Sequence, residues 1–106
     1  MSGKSHRERI EEMLRDFPDD DGELRYGLAM AYLAEGNEDK ALETFRALLA
    51  ALPDHVAGHQ QLGQLLARRG DEDGAQAAYR AGIAAAQRKV DLHAAGEMAN
   101  FLAMLG

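Results

Sequence analysis

The chain repeats itself. Leu28, Ala29, Tyr32, Gly36, Ala41 and Phe45 form a spaced set that returns 34 residues later as Leu62, Gly63, Leu66, Gly70, Ala75 and Tyr79. A partial third copy follows 36 residues on, as Met98, Ala99, Leu102 and Gly106, so two residues are inserted near Gln87–Asp91. The N-terminus belongs to the same array. His6, Ile10, Met13, Leu14 and Phe17 before Pro18 match Ala41, Phe45, Leu48, Leu49 and Leu52 before Pro53. A period of this length marks a supersecondary unit that cannot bury its apolar face alone, so stacked neighbours must supply the core.

Composition says what the unit is made of. Of the 106 residues, 20 are alanine and 14 leucine, while Val, Ile and Thr together number five. β-branched residues fit a pleated, half-buried surface, and their scarcity argues against a sheet. Ala and Leu lead the helix scale. The expected fold class is therefore all-α. Six helices are predicted, over 4–16, 22–35, 38–51, 55–69, 72–89 and 92–105. Gly36, Gly70 and Gly106 stand where a left-handed residue ends a helix, a backbone that glycine takes without a Cβ clash. Asn37, Asp71 and Asp91 then cap the next helices, and Pro18 and Pro53 stop the segments before them. The units read as an N-terminal half-repeat helix (4–17), repeat 1 (22–54), repeat 2 (55–89) and a C-terminal capping helix (91–106).

Several function classes fall away. A net charge of −6 and a pI near 5.1 disfavour nucleic-acid binding, which rests on neutralising phosphates. With no cysteine there is neither a disulfide framework nor a thiolate metal site, and a reducing, cytoplasmic location is expected. The start, MSGKSHRERIEEML, lacks the apolar stretch of a secretory signal, and no run of about 18 apolar residues predicts membrane insertion.

The motif Arg25-x-x-Leu28-Ala29-x-x-Tyr32, then Ala41-x-x-x-Phe45, then Pro53, resembles the tetratricopeptide repeat pattern. The second copy reads His59-x-x-Leu62-Gly63-x-x-Leu66, then Ala75-x-x-x-Tyr79, with Gln87 in place of the proline. Both copies lack the family's first aromatic. The resemblance implies a right-handed solenoid of antiparallel helix pairs that recognises protein. Small residues at Ala29, Gly63, Ala41 and Ala75 let helices approach, and Tyr32, Phe45 and Tyr79 fill the space between them. Helix 92–105 is expected to pack through Ala95, Met98, Ala99 and Leu102.

In that family the first helix of each pair lines a concave groove holding a partner peptide or helix. The positions carried over are Tyr26, Met30 and Leu33, with Ala34 at the edge. The second helix supplies Gln60, Gln64, Ala67 and Arg68, and the third Gly96, Asn100, Ala103 and Met104. The alternative for Gln60 and Gln64 is solvated surface, and for Met30 core filler. A lysine-bearing clamp for C-terminal carboxylates is not expected, since only Arg68 and Asn100 are suited to it. Phe101, Met104 and Leu105 leave an apolar patch on the last helix, a candidate for self-association, most simply as a homodimer. The alternative turns Phe101 inward against the fifth helix.

Candidate chemistry is thin. His55 and His59 have i, i+4 spacing but no further evident ligand, and His93 and Glu97 read as a helix-surface pair. No nucleophile–base set, phosphate loop or paired carboxylates is visible, so no catalysis, cofactor or metal is expected. The acidic runs Asp19–Asp21 and Asp71–Asp73 and the basic pairs Arg68–Arg69 and Arg88–Lys89 suit the helix ends they occupy.

Overall fold

The computed structural model describes residues 3–105. Six helices follow in order: α1 (His6–Asp16), α2 (Glu23–Ala34), α3 (Glu38–Ala51), α4 (Val56–Arg68), α5 (Glu72–Arg88) and α6 (Leu92–Leu105). Each lies within two residues of its expected bounds. The late start of α1 has a local cause. Ser5 Oγ accepts from Glu8 N–H at 3.1 Å while Ser5 N–H donates to Glu8 Oε1 at 2.9 Å, a reciprocal capping box.

The expected punctuation is present. Gly36 and Gly70 have φ of +78° and +83°. The expected role of Gly106 lies outside the described residues. Asn37, Asp71 and Asp91 accept from the N–H groups of Lys40, Gly74 and Ala94 at 3.2, 2.9 and 3.1 Å. In the loop after Pro18 the Asp19 carboxylate accepts from both Leu24 and Arg25 N–H, at 2.8 and 3.0 Å, which satisfies the first turn of α2. Gly22 next to it is left-handed at φ +77°, and a Cβ there would sit 2.6 Å from Leu48 and from Leu52.

The inserted residues near Gln87–Asp91 change the turn type. Where Pro53 follows α3, the α5–α6 connection repeats the turn that follows Gly36 and Gly70. Val90 N–H donates to Gln87 O and Asp91 N–H to Ala86 O, as Gly70 and Asp71 do to Ala67 and Leu66. The left-handed position is filled by a valine, at φ +56°.

The helices pack in chain order, each on the next, and α4 also touches α6. The result is an elongated body of 49 × 28 × 20 Å. Its core runs as a line: Phe45, Leu48, Leu65 and Met98 are the largest fully buried side chains, joined by Tyr79 and by Ala29, Ala41, Ala75, Ala85 and Ala86. Gly63 admits the Tyr79 ring so closely that a Cβ would lie 2.5 Å from it, and Gly82 lies under Met98 and His59. Charged side chains tie the units outside the core. Arg7 bonds Glu35 and covers the Tyr32 ring, Arg69 reaches Glu38 and Asp39, and Arg88 holds Asp54.

One expectation about α6 needs correction. Its inward side chains are Ala94 and Met98, with Ala95, Phe101, Leu102 and Leu105 half-buried against the core, whereas Ala99 is exposed. Ala99 is the counterpart of Gly63, whose place is to admit the helix that follows its own. No helix follows α6 among the described residues, so the position faces outward.

Candidate functional site

The first turns of α2, α4 and α6 converge. Glu23 opens α2, His55 caps α4, and Asp91 caps α6. Between them lies a depression of about 500 Å³ lined by Asp21, Glu23, His55, Val56, Ala57, Gln60, Lys89, Asp91 and Ala94. A second of about 430 Å³, lined by Asp20, Asp21, Leu52, Pro53, Asp54, His55 and Lys89, shares its edge. Asp21, His55 and Lys89 belong to both. Aliphatic side chains of Leu52, Val56, Ala57 and Ala94 and the carboxylates of Asp20, Asp21, Glu23, Asp54 and Asp91 are mixed in the lining.

His55 is held firmly. Its Nδ1 accepts from Gly58 N–H at 3.0 Å, doing for α4 what Asn37 and Asp71 do for α3 and α5. Its ring stacks on Tyr26 with centroids 5.4 Å apart, and Tyr26 meets Phe45 edge-on at 6.3 Å. An Nδ1 that accepts has no proton, so the neutral ring carries its proton on Nε2. That nitrogen is 3.6 Å from Glu23 Oε1. His59 is spent differently, with Nε2 2.7 Å from Pro53 O. The two imidazoles therefore face different partners and do not present one pair of ligands. Burial, and then the Glu23 charge, push the Tyr26 phenol above its usual pKa, against the opposing effect of a Gln61 hydrogen bond. The Arg88 guanidinium holds the Asp54 carboxyl below its usual range.

The sequence-derived groove residues divide between core and surface. Tyr26, Met30 and Leu33 are half-buried and pack against the core. Gln60 lines the depression and its side-chain amide is 3.5 Å from Glu97 Oε1 on α6. Gln64 is half-buried, while Arg68 and Asn100 are exposed, and Arg68 sits 3.6 Å from Glu38. Met104 is 79% exposed. Of the candidate self-association residues, Phe101 stacks on Tyr79 at 5.7 Å and Leu105 packs against the core, leaving Met104 outermost. His93 and Glu97 form a surface pair at 3.7 Å.

Sequence reasoning missed Glu23, His55, Val56, Asp91 and Lys89 at this site. The carried-over groove positions run from the second turn onward, apart from Tyr26 at the end of the first, and meet the depression at Gln60, whereas the rest of the depression is built from first turns and caps. The available signal was positional: Glu23, His55 and Asp91 all stand at starts of repeat-related helices.

Six helices stacked in antiparallel succession on a 34-residue period define a helical repeat protein. The family model for the tetratricopeptide repeat matches residues 7–60. The chain is 35% identical over 86 residues to the TPR repeat-containing protein PA0015 of Pseudomonas aeruginosa, covering 81% of this chain and 82% of that protein. The solution structure of protein BPP2914 from Bordetella parapertussis superposes with a TM-score of 0.80 at 34% identity, over 97% of this chain and 89% of that one. The chain belongs to the tetratricopeptide repeat family. Domains of this family generally mediate protein–protein interactions and are generally non-catalytic. Among the described residues no helix is long and apolar enough to cross a membrane.

Proposed function

We propose that this chain is a non-catalytic module that holds a segment of a partner protein along the face shared by α2, α4 and α6. One observation carries the reading: three helices distant in sequence bring their first turns to a single open depression lined by both aliphatic and polar side chains. Gln60, which lines it, and Gln64 and Asn100 farther along α4 and α6 are amide side chains, which can bond the backbone of an extended peptide. The test uses the full chain with Gln64→Glu and Asn100→Glu. These positions are suited to it because Tyr26→Glu or Met30→Glu would place a charge against the core. Partner capture in native lysate should fall in the double variant while its circular dichroism stays unchanged; identical capture by both proteins would overturn the reading.

A second reading is self-association through α6. It is favoured by the exposed apolar side chains of Leu92 and Met104 on that helix and of Val90 just before it. Met104→Glu is the clean probe, since Phe101 is engaged with Tyr79. A dimer by light scattering that becomes a monomer in Met104→Glu supports this reading, and a monomer throughout rejects it.

A further inference from the structure

The depression around His55 carries a chemical preference. Asp20, Asp21, Glu23, Asp54 and Asp91 line it with a single cation, Lys89, among the lining residues, and Asp54 is paired with Arg88. Asp91 is used as a cap, and Asp21 Oδ1 accepts from Glu23 N–H at 3.1 Å. The second observation concerns His55 itself. The residue is 8% exposed, yet it lines both parts of the depression. Its Nδ1 is occupied by Gly58 N–H, so the proton is on Nε2, and the nearest carboxylate oxygen is 3.6 Å away, beyond hydrogen-bonding distance. The Nε2–H of this largely buried ring thus opens, within reach of solvent, onto an acid-lined space, with no acceptor at hydrogen-bonding distance among the described residues. A metal ion does not answer this donor, because a nitrogen that keeps its proton cannot ligate.

We propose that the depression binds a basic segment of a partner protein, with one lysine or arginine side chain against Glu23 and Asp21 and a neighbouring backbone carbonyl accepting from His55 Nε2–H. Val56, Ala57 and Ala94, with Leu52 and Pro53 alongside, receive the methylene stem of that side chain. The inference rests on the reading of α2, α4 and α6 as the recognition face, and adds to it the charge of what is recognised.

The experiment is a titration of the isotope-labelled full chain, followed by NMR, with three probes. They are a capped hexapeptide alternating arginine and alanine, its glutamate counterpart, and spermidine, a cation without a carbonyl. The arginine peptide should bind saturably, shift the His55 Nε2–H resonance and move the amides of Glu23, Gly58 and Gln60. Its affinity should drop about tenfold or more in the Asp21→Asn, Glu23→Gln variant, as loss of charge-assisted contacts implies. Equal binding of the glutamate peptide, an unmoved His55 resonance, unchanged affinity in the variant, or spermidine binding as tightly each overturns the proposal. So does displacement of the peptide by calcium at an equal concentration, which would make this a metal site. Failure here, with partner capture still sensitive to Gln64 and Asn100, removes the basic ligand and leaves the recognition face standing.

Discussion

Val90 is the residue whose chemistry fits its backbone least. It holds φ +56° at a turn where the two equivalent positions are Gly36 and Gly70. Its Cβ is branched, and a left-handed conformation costs an ordinary L-residue about 1–2 kcal/mol. The side chain is 75% exposed, so little packing offsets that cost. Val90→Gly should therefore raise stability by about 1 kcal/mol, read as a higher urea midpoint with unchanged slope. His55 makes the opposite case. Its ring caps α4 and stacks on Tyr26. His55→Ala should cost about 1–2 kcal/mol, and His55→Asn, which keeps a cap acceptor, should recover part of it in the same denaturation assay. The cap of α3 at Asn37 was legible because an asparagine after a glycine announces it; a histidine does not, since its capping role depends on where the ring is packed.

At the scale of the element, the α4–α5 pair shows why small residues recur on the period. Gly63 faces the Tyr79 ring at a separation that leaves no room for a methyl group. Gly63→Ala should destabilise by about 1–3 kcal/mol through overpacking, despite alanine's better helix propensity. The penalty should shrink in a Tyr79→Leu background, and a double-mutant cycle measures that coupling. An additive result would show that the two side chains are not in register. The same reasoning explains α6. Its amphipathic pattern admits either a face through Ala95 and Ala99 or one through Ala94 and Phe101. The packed face takes in Ala94, Ala95 and Phe101 and leaves out Ala99, because Tyr79 on α5 offers a ring for Phe101, while nothing among the described residues lies beyond Ala99.

The whole molecule has no centre, so its stability rests on side chains that bridge neighbouring helices. Phe45→Ala should cost about 3–5 kcal/mol, a large fraction of what a domain this size has, and calorimetry should show a lowered or lost transition. Two tyrosines supply a pH signature. Burial raises the Tyr79 phenol, and burial followed by the Glu23 charge raises that of Tyr26. The unfolded chain then releases these protons first, near the ordinary pKa of about 10, while the folded chain still holds them. Stability is therefore whole below that value and falls as the pH rises through and above it. Ultraviolet titration of tyrosinate should show Tyr26 and Tyr79 ionising later in the folded protein than in denaturant.

The sequence by itself determined the helices, their order and their stacking. Each helix end is settled by groups a few residues away: Ser5 with Glu8, Asn37 with Lys40, Asp71 with Gly74. The 34-residue period then leaves nearest-neighbour packing as the way to bury the apolar stripe. Tertiary structure decided which side chains are spent in that packing and which stay open at the surface. Tyr26, Met30 and Leu33 are half-buried and pack against the core with part of each side chain still open, and Glu23, His55 and Asp91 come together across 68 residues of chain. The reason is range. A backbone N–H finds its acceptor within one turn, but burial and shared cavities depend on what another repeat places opposite.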